Sequence, residues 1–325
     1  AEVVSLVKKN YVDEVDEKKL IYGAIKGMLN SLDPHSAFME PEVYKEMQIN
    51  TKGEFAGLGI QIGMKDEALT VIAPIEDTPA YKAGVKAGDK IIKIGEESTN
   101  DMNLQDAVTK LRGPKGTSVT ITIARKEWEK PRDITIVRDI IKIRSVKSKV
   151  IDDKIGYVKL LQFQEKTDEE LENALKGLEK DNINALILDL RNNPGGLLSV
   201  SIDVASTFLP PQKLVVSVKG RDEVKDKAEY FTSNNKHRLE YPMIVLVNEG
   251  SASASEIVAG ALQDWERAVV LGTTTFGKGS VQVVIPLSDG SGLKLTTSRY
   301  YTPKGRSIQV TGIVPDIVVE LKTKD

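Results

Sequence analysis

The segment Asn248-Glu-Gly-Ser-Ala-Ser-Ala-Ser-Glu256 joins an apolar run to an amphipathic one. Its small residues permit a sharp backbone turn, and unpaired N–H groups at a helix start favour developing negative charge. Ser253 is therefore a candidate nucleophile. The same residues also fit a capping box, with Ser253 at the N-cap and Glu256 three positions on. A serine nucleophile needs a base, and the chain has only two histidines and no cysteine. His35, in Asp-Pro-His-Ser, and His237, in a charged stretch, do not read as buried imidazoles. The other route is a lysine kept neutral by desolvation. Lys278, in Thr273-Thr-Thr-Phe-Gly-Lys-Gly-Ser280, is the best placed. Gln282 lies four residues on and shares a face with Lys278 if a strand already runs through both, so it is read as holding the amine.

Asp189-Leu-Arg-Asn-Asn-Pro-Gly-Gly196 sits between a strand-like and a helix-like run. Its glycines serve a tight connection, or a backbone N–H at Gly195 or Gly196 pairs with that of Ala254 to receive an oxyanion. Gly272 to Lys278 imitates the start of a phosphate-binding loop. However, Gly279 stands where Ser or Thr is needed, and a strand follows where a helix is needed, so nucleotide binding is not expected.

Composition narrows the classes. The 325 residues carry 45 Lys and Arg against 47 Asp and Glu, a formal charge of −2 that disfavours a nucleic-acid partner. Absence of Cys removes thiolate nucleophiles and thiolate metal sites, and two histidines make a multi-histidine metal site unexpected. Aliphatic runs such as Met243 to Val247 are too short to span a bilayer. The opening AEVVSLVKKNYVDEV lacks the pattern of a signal peptide, although the mature end of an exported protein reads the same way.

These residues need elements to position them. Residues 1 to about 50 read as helical, with apolar stripes at Val3 to Val7 and Leu20 to Leu29 and a further helix from Pro41 to Ile49. From Gly53 the chain turns to short β-type runs: 57–62, 69–73, 89–94, 118–124 and 133–137. One helix lies among them, with Leu104, Ala107, Val108 and Leu111 on its apolar face and Asn103 or Asp101 as cap. After Ile140, strands at 155–161, 185–190 and 243–247 alternate with helices at 168–180, 197–208 and 253–264, the pattern of a βαβ sheet. The tail at 268–271, 281–286, 292–298 and Ile308 reads as strands. Lys219 to Arg238 reads as a solvated loop.

In its pieces GLGI, TPAYKAGVKAGDKIIKI and a helix ending in LRG before GTSVTITI, the middle of the chain resembles a PDZ domain. With LDPHSAFM, LDLRNNPGG, NEGSASASE and TFGKGSVQ, nearly the whole chain resembles the carboxy-terminal processing proteases, PDZ-containing tail-specific serine peptidases. The resemblance implies an α/β multidomain fold: a helical segment at 1–52, an inserted PDZ domain at 53–138, and a ClpP/crotonase-like protease core with additional C-terminal strands at 139–325. It implies Ser253 as nucleophile, Lys278 as base, Gln282 as the residue orienting it, and Gly196 with Ala254 as oxyanion donors. No metal or cofactor is required. A free, apolar peptide C-terminus would pair with Leu58, Gly59, Ile60, Gln61 and Ile62, its side chain entering a pocket lined by Leu104, Val108 and Leu111. Arg112 is a candidate link between PDZ occupancy and the core, or simply a cation at a helix end. An extracytoplasmic setting, a homo-oligomer assembled through residues 1–50 and an occasional adaptor protein are further implications. A catalytically inactive PDZ scaffold and a crotonase-like acyl-CoA enzyme are the other classes left open.

Overall fold

The apolar runs after Ile143 pair in parallel, as strands joined through crossover helices must. In the computed structural model, which describes residues 2–152, 154–222, 225–234 and 240–320, strands Ile155–Leu160, Ala185–Asp189, Met243–Val247 and Val269–Gly272 lie in that order, each parallel to the next. Val146–Ile151 adds antiparallel at one edge and Ile317–Val318 adds parallel at the other. Helices Thr167–Lys180, Leu198–Phe208 and Ala254–Asp264 cover the sheet. Their apolar stripes meet its side chains in one core, where Leu160, Leu171, Leu188, Val204, Val245 and Val258 are inaccessible to solvent. The Asp189 carboxylate, also inaccessible, is neutralised by Arg191 at 2.8 and 2.9 Å and accepts a hydrogen bond from the Tyr157 hydroxyl at 2.6 Å.

A second sheet belongs to the same unit. Ala37–Met39, Gly292–Tyr301, Leu214–Lys219 and Lys227–Phe231 lie in that order, and Ser280–Pro286 pairs along Gly292–Tyr301. Through Ala37–Met39 the segment ending at Lys52 joins the unit that begins again at Arg144. Helices form over Glu2–Asn10, Glu17–Asn30 and Pro41–Lys52, with Asp16 capping the second. The strand between them escaped the sequence reading because three residues carry no period and their partner, Gly292 to Lys294, lies far along the chain. Lys227–Phe231 likewise turns part of the charged stretch into a strand, while His237 lies outside the described residues. Ile308, read as a strand residue, is buried outside any strand.

Gly53–Ile143 forms the other unit. Strands Ile60–Lys65, Ala68–Pro74, Lys90–Ile94, Ser118–Ala124 and Arg132–Val137 make an antiparallel sheet. The amphipathic run folds as Leu104–Leu111, where the Asn103 side chain caps the helix by accepting the Asp106 N–H at 2.9 Å. Leu58, Val71, Ile91, Ala107, Leu111 and Ile121 fill its core. Glu54–Gly57 pairs with Asp139–Lys142, which extends this unit to Ile143.

Leu175 is 1% exposed within the protease core. Leu175→Ala is expected to lose about 2–5 kcal/mol through lost transfer energy and the cavity left behind, read from the urea unfolding of the whole chain. A loss below about 1 kcal/mol would show that this helix is not docked as described.

Candidate active site

The strand Met243–Val247 ends in a turn that places Ser253 just ahead of helix Ala254–Asp264, with φ 56° and ψ −114°. A left-handed φ is costly for serine and persists only where its surroundings hold it. Three serines occur in this turn, and the structure separates their work. The Ser251 hydroxyl donates to Leu190 O at 2.8 Å and that of Ser255 to Asn193 O at 2.9 Å, both fully buried. Ser253 is partly exposed, and its hydroxyl donates to no acceptor among the described residues. Ser251 and Ser255 thus fasten the turn to the Asp189–Gly196 connection and leave Ser253 presented.

Glu256 does more than cap. The capping box read from the sequence is present, with the Ser253 N–H donating to Glu256 Oε2 at 2.8 Å. The same Oε2 accepts the backbone N–H of Lys278 at 2.9 Å, while Oε1 accepts from Gly277 N at 2.7 Å and Thr275 Oγ1 at 2.5 Å. One buried carboxylate oxygen therefore joins the backbones of Ser253 and Lys278, whose nitrogens lie within the span of two hydrogen bonds. Burial pushes the Glu256 carboxyl up, against the pull of these four donors.

Lys278 is half-buried, and its amine is held below the ordinary lysine value. Burial is the main cause, the like charge of Lys294 adds to it, and Glu256 opposes it. The sequence reading found desolvation but not Lys294, which faces Val284 on the paired strand that follows Lys278. Among the described residues no hydrogen bond joins the Ser253 hydroxyl to the Lys278 amine. Gln282 does not bond the amine either. Its amide donates to Ser280 Oγ at 2.7 Å, Ser280 O at 3.2 Å and Thr296 Oγ1 at 3.3 Å. The strand begins at Ser280, so strict alternation does not carry back to residue 278.

The Asp189–Gly196 connection approaches the serine turn closely. A Cβ on Gly195 would stand 2.8 Å from Ser253 Cβ and 2.9 Å from Ala254 N, and one on Gly196 would stand 2.1 Å from Phe163 O. Gly195 N–H is taken by Asn193 Oδ1 at 2.9 Å. The N–H groups of Gly196 and Ala254 find no acceptor among the described residues. His35, unread as a site residue, is half-buried, and burial together with the positive charge of Lys278 pushes its imidazole down.

In the other unit, a cleft of about 70 Å³ is lined by Phe55, Leu58, Gly59, Ile60, Ile62, Val108, Leu111 and Arg112. Gln61 and Leu104 do not line it, and Phe55 was not anticipated. The Arg112 guanidinium stands 4.7 Å over the Phe55 ring at the helix end. Gly59 has φ +79°, and a Cβ there would meet Thr78 at 2.3 Å. Only glycine fits that bend.

A model of peptidase family S41 matches residues 154–319. The chain belongs to that family. A PDZ-domain model matches residues 70–125, and a model of the N-terminal domain of the activating protease CtpB matches residues 1–43. Relatives of this S41 peptidase include a carboxy-terminal-processing protease of Bartonella bacilliformis, 50% identical over 98% of this chain and 74% of the relative. A carboxyl-terminal-processing protease of Synechocystis sp. is 39% identical over 97% of this chain and 75% of that protein. Among solved structures, a photosystem II D1 C-terminal processing protease superposes with TM-score 0.56 and 30% identity, over 98% of this chain and 92% of the other. The chain is thus a serine-type peptidase with a PDZ domain, in the α/β fold read from its sequence.

Because folding depresses the Lys278 pKa, the folded protein bears the cost of a desolvated ammonium below that lowered value. The cost fades as pH rises through it toward the unfolded value of 10.5. Lys278→Met should therefore raise the melting temperature more at about pH 6 than at about pH 10. An equal gain at both would overturn the assigned shift.

Proposed function

We propose that this S41 peptidase cuts protein substrates through Ser253 and Lys278 and selects them by their C-termini. The observation that supports this most directly is the shared Glu256 Oε2, which fixes the backbone of the presented serine beside that of a lysine whose amine is held below its usual pKa.

In this reading neutral Lys278 takes the Ser253 proton as the hydroxyl oxygen bonds to the scissile carbonyl carbon. The carbonyl oxygen becomes an oxyanion and is received by the N–H groups of Gly196 and Ala254. Collapse breaks the C–N bond, and the lysine ammonium gives its proton to the departing amine. The same lysine takes a proton from water as the water oxygen bonds to the ester carbon. It returns that proton to Ser253 Oγ as the C–O bond to the serine breaks, which releases the acid and restores the enzyme. A hydroxyl and base that are not yet hydrogen-bonded are compatible with this chemistry, since such contacts tighten when substrate binds. Gln282 would turn toward the amine and orient it.

The PDZ cleft would receive an apolar C-terminal side chain, with the carboxylate on the backbone at Leu58, Gly59 and Ile60 and the peptide pairing beside Ile60–Ile62. Arg112, at the rim of that cleft, is the residue through which occupancy would be relayed. The protease would act outside the cytoplasm, as a homo-oligomer assembled through residues 1–52, in some cases with an adaptor.

Three measurements test these roles. Ser253→Ala and Lys278→Ala should each lower cleavage of β-casein by at least about a thousandfold, as loss of a nucleophile or its base does. Full activity in either overturns the assignment. The rise of kcat/KM with pH should have its midpoint below 10.5, the ordinary lysine value. A midpoint at the ordinary value would mean that no depressed lysine serves as base. Amidating the C-terminus of a cleaved peptide should raise KM about tenfold or more, since the charged group is lost to the PDZ cleft. Unchanged cleavage overturns tail recognition.

A further inference from the structure

The turn Asp33-Pro34-His35-Ser36 belongs to the segment that precedes the PDZ unit, yet its hydrogen bonds end beside the proposed base. Asp33 Oδ1 accepts the N–H groups of His35 at 2.7 Å and Ser36 at 2.8 Å, and Oδ2 accepts the Ser36 hydroxyl at 2.7 Å. Ser36 Oγ in turn accepts Thr296 N–H at 3.1 Å, which pins the turn onto the strand Gly292–Tyr301. Thr296 Oγ1 donates to Asp33 Oδ1 at 3.3 Å and accepts from Gln282 Nε2 at 3.3 Å. Thr296 and Gln282 are register partners on neighbouring strands, so the chain Asp33, Thr296, Gln282 crosses the sheet without a gap.

The chemistry of the three groups sets its direction. An ionised carboxylate only accepts, so the Thr296 proton points at Asp33. The hydroxyl then offers a lone pair to Gln282, which must turn its NH₂ that way. The amide oxygen faces the opposite side and stays available to an N–H donor. An amine that is to be held needs such an acceptor. Ser280 Oγ at 2.7 Å and Ser280 O at 3.2 Å also take the Gln282 NH₂ from its own strand, so the carboxylate adds the hold from the neighbouring strand. Without it the Thr296 hydroxyl is free to turn its proton toward Gln282, and that cross-strand contact is lost.

We propose that Asp33 is a positioning residue for the peptidase reaction, acting through the Thr296 hydroxyl to orient the Gln282 amide toward Lys278. This rests on the reading that Gln282 orients the lysine. It makes the segment before the PDZ unit a contributor to the hydrolytic step.

The test uses the whole chain with β-casein as substrate. Thr296→Val removes the middle hydroxyl while keeping a β-branched strand residue, and Thr296→Ser restores the hydroxyl. Thr296→Val is expected to lower kcat about tenfold with KM within about twofold, and Thr296→Ser to recover most of the loss. In a Gln282→Ala background, Thr296→Val and Asp33→Ala should each lower kcat no further, since residues acting through one another are non-additive. Wild-type kcat in Thr296→Val, or an equal further loss in the Gln282→Ala background, overturns the proposal while Gln282 keeps its role. Wild-type kcat in Gln282→Ala itself overturns the role of Gln282 and this inference with it. Melting temperatures of each variant separate a lost fold from a lost orientation.

Discussion

A single carboxylate oxygen, Oε2 of Glu256, holds two backbone N–H groups that belong to separate parts of the chain. One is Ser253, held in a left-handed conformation, and the other is Lys278, on the loop beyond the next strand. An inaccessible carboxylate is expensive to bury unless its lone pairs are satisfied. Four donors satisfy this one, and their arrangement fixes the serine turn against the lysine loop. The ordering of the proposed catalytic groups is therefore coupled to the solvation of one carboxyl group, and neither loop can move away without exposing it.

Two further constraints complete the site. The glycines at 195 and 196 let the connection after Asp189 pack against Ser253, Ala254 and Phe163, where any side chain would collide with backbone. Asn193 takes the Gly195 N–H, while that of Gly196 has no acceptor among the described residues. The buried Asp189 and its Arg191 partner anchor the start of the same connection, so its position relative to the sheet is set by charge neutralisation as well as by packing.

The segment before the PDZ unit has a role that its own composition conceals. Its three-residue strand pairs Ala37 with Lys294, a residue that also faces Val284 and helps depress the lysine amine. Like-charge proximity and desolvation act in the same direction on an ammonium, so the strand that this segment pairs with contributes to the electrostatic environment of Lys278. The helices that flank the strand leave Val3, Leu6, Ile21 and Met28 exposed. This apolar surface is the physical basis for reading the segment as an assembly face.

By itself the sequence determined the βαβ core and the inserted PDZ unit, and it singled out Ser253, Lys278 and Gln282 as candidates for the chemistry. Helical and strand periodicities are local, and the absence of Cys and scarcity of His left a lysine-assisted serine as the economical base and nucleophile. It also showed Glu256 as a cap, because the cap lies three residues from Ser253. Only the tertiary structure decided that Glu256 also binds Lys278, that Gly195 is already occupied, that Lys294 and His35 stand near the amine, and that Phe55 closes the PDZ cleft where Leu104 does not. Each of these depends on hydrogen bonds, charges or side-chain contacts between segments remote in sequence, and such pairings leave no period or spacing to read along the chain.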